Sequence, residues 1–170
     1  MTKEKLLETI LKTSYSKVEI YRRIRLWRSF LESEFFGKGK KSSLSEFLKK
    51  EAADPEDAKV MDDWGDGFFD TFTKDNAYEI TDALTEAIKN LPLVNLYVPF
   101  EPGQKDIEAY GVWFRANVDQ YMILEVHLDA SVFGGCAFSI DGRYYDYSLR
   151  HRLETKTNQI HDILGRFLVE

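Results

Sequence analysis

The chain has 170 residues, 44% of them apolar and 31% charged, with twelve Phe, nine Tyr and three Trp. That composition excludes a disordered chain and suits one soluble globular domain or two small ones. The net charge of −6 argues against broad binding to nucleic acid, and the single cysteine excludes an internal disulfide and any CxxC metal or redox motif.

The charge is unevenly spread. Residues 1–50 carry 13 Lys/Arg against 6 Asp/Glu, a net of +7, and residues 51–91 carry 3 against 12, a net of −9. Residues 92–170 carry 7 against 11, a net of −4. Either the basic and acidic blocks face each other within one helical domain, or one of them meets a charged partner. Residues 1–17 lack the apolar run of a signal peptide, and Glu4 and Glu8 argue against a transit peptide. No stretch approaches the ~20 apolar residues that span a bilayer. An intracellular location is therefore expected, with any membrane association made through partners.

In chain order, residues 2–13 read as a short amphipathic helix with Leu6, Leu7, Ile10 and Leu11 on one side. Ser16-Lys17-Val18-Glu19 matches a capping box, in which Ser and Glu each satisfy a free backbone N–H. It opens a longer helix to about residue 35, with Ile20, Ile24, Trp27 and Leu31 as the apolar stripe and Arg22 and Arg25 on the other side. Residues 22–28, RRIRLWR, read as core packing with a solvated basic face, because Trp27 belongs to the stripe. Gly37-Lys38-Gly39-Lys40-Lys41 breaks the helix as a surface loop, since it lacks the GxxxxGK[ST] phosphate-loop pattern.

Ser43-Leu44-Ser45-Glu46 is a second capping box before a short helix, and Asp54-Pro55 reads as cap and first residue of the next. That helix extends to about residue 72, burying Met61, Trp64, Phe68 and Phe72, with Gly65 and Gly67 as points of weakness. Asp57, Asp62, Asp63, Asp66 and Asp70 spread around it without EF-hand spacing and read as a solvated acidic face. Residues 76–91 form the last helix of this half, with Ile80, Leu84, Ile88 and Leu91 inward and Pro92 stopping it.

The periodicity then changes. Residues 93–98 read as a strand, 104–117 as a helix with Ile107, Tyr110 and Phe114 inward, and 121–128 as a second strand. The first β-α-β unit suits parallel strands. Phe133-Gly134-Gly135 is a permissive break, residues 136–140 a strand and Asp141-Gly142 a hairpin turn. Residues 143–147 pair back, and Ser148 opens a final helix to about residue 168. Cys136 reads as a buried structural thiol. The expected fold is α + α/β: an N-terminal helical bundle of about five helices over residues 1–91, then a small mixed α/β domain over 92–170 in the order β-α-β-β-β-α.

One ordered set of residues stands out: Asp129, then Phe133-Gly134-Gly135, Gly142, and Asp146-Tyr147-Ser148 running into Arg150 and Leu153. Over about 25 residues the set resembles the delta subunit of rotary F-type ATP synthases, the counterpart of the oligomycin-sensitivity-conferring protein. Residues 93–128 extend the likeness to the whole second domain. The first half resembles the family in architecture only, without its Ala-rich opening helix. The motif residues also have a local explanation, since turn glycines and helix caps specify a shape and not a reaction.

The resemblance implies a non-catalytic stator subunit that links the catalytic head to the peripheral stalk and resists rotor torque during proton-driven ATP synthesis. It implies no cofactor and no metal. The helical domain would hold N-terminal segments of the alpha subunits, and the second domain the C-terminal ends of the peripheral-stalk b subunits. The place would be the cytoplasmic face of a bacterial cell membrane, peripherally. Candidate head-facing contacts are Ile20, Ile24, Trp27 and Leu31 if part of that stripe stays open, the alternative being that they fill the bundle core. The final helix offers Leu149, Leu153, Ile160, Leu164 and Phe167 at near-heptad spacing, with Ile160, Leu164 and Phe167 as candidate stalk contacts.

Two other readings compete. His127 and Asp129, two apart on a strand, could join His151 as a His/His/carboxylate metal set for a hydrolase. Alternatively, the chain is a two-domain adaptor or regulator whose α/β domain binds a ligand.

Overall fold

The computed structural model describes residues 2–37 and 43–157. Among these residues the fold is mixed α/β, with eight helices and a four-stranded sheet. Six helices come first: α1 (Lys3–Thr13), α2 (Lys17–Phe36), α3 (Leu44–Lys50), α4 (Pro55–Trp64), α5 (Asp66–Phe69) and α6 (Ala77–Lys89). Then follow β1 (Leu93–Val98), α7 (Gln104–Asn117), β2 (Ile123–Leu128), β3 (Ala137–Ile140), β4 (Arg143–Asp146) and α8 (Leu149–Thr155).

The helix starts lie where the cap chemistry puts them. Ser16 and Glu19 form a complete capping box, as do Ser43 and Glu46, and Asp54 accepts the Glu56 N–H ahead of Pro55. One expected helix is divided: the run from Pro55 ends at Trp64, where Gly65 turns to φ +73°, and α5 restarts beyond it. A helix cannot propagate through a left-handed residue, and glycine enters that region without a Cβ clash.

The described residues form two compact units, one within residues 2–92 together with 111–123 and the other of residues 93–110 with 124–157. In the first unit Trp27 is fully buried. Its ring meets Trp64 and Phe68 edge-on, with centroids 6.3 and 5.3 Å away, and Phe72 at 5.2 Å. Phe30 continues the cluster to Phe47 and Phe69. Edge-to-face pairs of this kind add to the stabilisation from burial alone.

A buried ionic knot ties the helices of this unit together. Arg23 donates from Nε to Asp57 Oδ1 at 2.8 Å and from Nη1 to the Thr13 carbonyl and Ser14 Oγ at 2.6 and 2.7 Å. Arg22 forks onto the same Asp57 carboxylate, and this hydrogen bond raises the Arg22 pKa. Lys3–Glu79 and Arg28–Asp82 add surface pairs. Part of the basic block is therefore paired with the acidic block inside the chain.

Residues 111–123 close the same unit over the α1–α2 junction. Arg115 donates to the carbonyls of Leu11, Ser14 (2.7 Å) and Met122 (2.9 Å), and its guanidinium lies 4.6 Å from the Tyr15 ring centre. Burial lowers its pKa. Gly111 lies so close to the Tyr15 ring that no Cβ would fit between them.

The sheet has the order β2-β1-β3-β4. β1 with β3 and β3 with β4 are antiparallel. Ile123 N–H donates to the Pro92 carbonyl and Asp129 N–H to the Val98 carbonyl, in the same order along both strands, so β1 and β2 are parallel. Val94, Leu96 and Val98 are buried and alternate with half-buried Leu93, Asn95 and Tyr97. One face of the sheet is thus core and the other is partly open.

Candidate interaction surfaces

Gly134, Gly135, Asp146 and Ser148 meet at one backbone junction, while Asp129 closes the turn after β2 and Gly142 the β3–β4 hairpin. Asp129 Oδ1 accepts the Ser131 N–H (2.8 Å) and Oγ–H (2.6 Å), closing the turn after β2. Gly134 and Gly135 take φ values of +63° and +140°. A Cβ on Gly135 would stand 2.5 Å from the Tyr147 carbonyl oxygen, and one on Gly134 would stand 2.9 Å from Leu149 Cβ. The glycine pair lets the chain pass directly against the start of α8. The Leu149 N–H donates to the Phe133 and Gly134 carbonyls at 2.9 and 2.7 Å, and Tyr147 N–H donates to the Cys136 carbonyl at 3.0 Å.

Asp141 and Gly142 both have positive φ, +49° and +75°, as a two-residue hairpin turn requires. Asp146 Oδ1 accepts Ser148 N–H at 2.8 Å, and buried Ser148 caps α8 by accepting His151 N–H at 3.2 Å. Hydrogen bonds from Ser131 and Ser148 hold the Asp129 and Asp146 carboxyls below the usual range. Cys136 is half-buried, not fully buried, and that burial pushes its thiol pKa up. Arg150 pairs with Glu154 at 2.8 Å on the surface.

Around this junction large apolar side chains stay exposed: Phe133 at 64%, Leu153 at 46%, with Leu149 and Tyr147 beside them in sequence. Leu149 and Leu153, four apart, share one face of α8. The continuation to Ile160, Leu164 and Phe167 lies outside the described residues.

Of the two readings of the Ile20–Leu31 stripe, burial favours the one in which it fills the core. Ile20, Ile24, Trp27 and Leu31 are all buried, Trp27 against Trp64, Phe68 and Phe72. Phe68 and Phe72 pack on Trp27, and Leu31 reaches the wall of a small hollow beside Phe36 and Tyr78. An open cavity of about 430 Å³ does exist at α3 and α4, lined by Leu48, Ala53, Pro55 and Ala58 together with Ser45, Lys49, Lys59 and Asp62. It contains no histidine or cysteine, and so no nucleophile–base pair of the Cys–His kind.

The hydrolase constellation is not assembled either. His127 Nε2 lies 3.1 Å from Asn95 Oδ1 and its ring stacks on Tyr97, while Asp129 is engaged with Ser131. Among the described residues no group of three or more His, Cys, Asp or Glu is placed to hold a metal ion. Also among them, no helix is long and apolar enough to cross a membrane.

Two features have no signature in the local sequence or only a faint one. Arg115 and Gly111 organise the α1–α2 junction across about a hundred residues of chain, which no local pattern reports. The partly open sheet face was legible in principle, because Asn95 and Tyr97 alternate with the buried residues of β1. No protein-family profile matches the chain, and comparison with curated proteins finds no match.

Proposed function

We propose that the chain is a non-catalytic stator subunit of a rotary F-type ATP synthase, joining the catalytic head to the peripheral stalk. In this reading residues 1–91 are a helical bundle that binds N-terminal segments of the alpha subunits. Residues 92–170 are the β-α-β-β-β-α domain that binds the C-terminal ends of the b subunits at the cytoplasmic face of the cell membrane.

One observation carries the reading. Each of Asp129, Gly134, Gly135, Gly142, Asp146 and Ser148 makes a turn, a close approach or a cap in the stretch from β2 to α8. A part that transmits force needs such rigidity together with exposed apolar anchors, and Phe133, Leu149 and Leu153 supply candidates. With the Ile20–Leu31 stripe buried, the alpha-subunit contact must use other residues of the helical half.

The test is capture of partners from native membranes with the tagged full chain. Alpha and b subunits should co-purify, and a chain ending after Thr157 should lose the b partner while retaining alpha. If the full chain captures neither partner, the proposal is overturned.

A further inference from the structure

The partly open face of the sheet carries a compact aromatic and acidic surface. Strand register places Tyr97, Ala137 and Asp146 in one row across β1, β3 and β4, and Asn95, Ser139 and Tyr144 in the next. His127 joins them from β2, its ring stacked on Tyr97 at 5.1 Å and its Nε2 at 3.1 Å from Asn95. Ala137 is small, and the Tyr144 ring reaches across that strand to within 6.0 Å of Tyr97. Tyr144 is 57% exposed, while Asn95, Tyr97, His127 and Ser139 are half-buried.

The one charged side chain in the two rows is Asp146, whose carboxylate also feels Arg150 and His151 of its own chain. Neither row contains a Lys or Arg. Burial, then the negative charges of Asp146 and Asp129, push the Tyr144 phenol pKa up, and strand register places Asp146 in the row next to Tyr144. Arg150, four residues beyond Asp146, is paired with Glu154.

We propose that this face docks an arginine-bearing segment of a partner protein, with a guanidinium laid on the Tyr97–Tyr144 rings and directed toward the Asp146 and Asp129 carboxylates. The electron-rich ring faces attract a cation, and the flanking carboxylates accept its N–H groups. Arginine fits better than lysine because its planar, weakly hydrated head stacks and forks at the same time. The same carboxylates repel phosphates, which disfavours a nucleic acid on these rings. This surface belongs to the sheet and is independent of the α8 apolar anchors on which the stator reading relies.

The test is NMR titration of the full chain with acetyl-Gly-Arg-Gly-Arg-Gly-amide, its lysine counterpart and a short oligouridylate. The arginine peptide should shift the Tyr97, His127 and Tyr144 ring resonances saturably, and the lysine peptide should bind several-fold more weakly. Tyr144→Ala should lower arginine-peptide affinity about fivefold, as loss of an exposed cation–π contact does, while Tyr144→Phe should keep it. Tyr144 is exposed enough for either change to leave the fold intact. The proposal is overturned if the three rings do not respond, if the lysine peptide binds equally well, or if Tyr144→Ala binds as the parent does. It is also overturned if the oligouridylate occupies the rings in preference, or if they shift on dilution alone because a second copy covers them.

Discussion

Gly135 runs directly beneath the carbonyl of Tyr147: a Cβ on the glycine would stand 2.5 Å from that oxygen and 3.2 Å from Ser148 Cα. Backbone thus rests on backbone where β3 begins and α8 starts, and neither side can yield by rotating a side chain. Gly135→Ala should therefore destabilise the chain by more than about 2 kcal/mol. Gly142→Ala is the matched control. Its φ is +75° but open space surrounds it, so its cost should stay near ~1 kcal/mol. Urea denaturation of the two variants checks the order, and equal losses would refute the close-approach account.

Asp57 is the shared acceptor for Arg22 and Arg23, and both Asp57 and Arg23 are fully buried. Removing the acid leaves a buried guanidinium without its main counter-charge. Asp57→Ala should cost about 3–5 kcal/mol. Asp82→Ala breaks only the exposed pair with Arg28 and should cost less than about 0.5 kcal/mol. Denaturation midpoints of the two variants measure the difference.

Acid should loosen the turn at Asp129 and the junction at Asp146. Both carboxyls titrate below their ordinary value in the folded chain, chiefly through hydrogen bonds from Ser131 and Ser148. A carboxyl depressed by folding contributes stability above its unfolded pKa of about 3.9, and that contribution is lost as pH falls through the lower folded value. Stability should fall on going below about pH 4, and Asp146→Asn should fall less steeply there than the parent. Thermal melts between about pH 2 and pH 6 provide the comparison.

Leu153 is 46% exposed on α8, so Leu153→Arg should change stability by less than about 0.5 kcal/mol. If α8 grips a stalk helix by apolar anchors, the same change should weaken binding of a peptide from the C-terminal end of the stalk b chain at least about tenfold. Calorimetric titration reads the affinity. Unchanged binding removes Leu153 from the interface.

Local chemistry determined much of this protein directly from the sequence. The Ser16–Glu19 and Ser43–Glu46 boxes, Asp54-Pro55 and Asp141-Gly142 each place an element boundary because the groups that satisfy or bend the backbone are a few residues apart. The change from helical spacing to alternation at residue 93 is likewise written in neighbouring residues. Only the tertiary structure decided which apolar stripes stay open. Ile20, Ile24, Trp27 and Leu31 are buried, Trp27 against Phe68 and Phe72, whereas Leu149 and Leu153, equally periodic, stay exposed. Periodicity reports which side of a helix is apolar, but what covers that side comes from residues distant in the chain. The same distance hid the bonds of Arg115 to Leu11 and Ser14, and the meeting of Tyr97, His127 and Tyr144 across three strands. Those contacts exist only once the chain has folded back on itself.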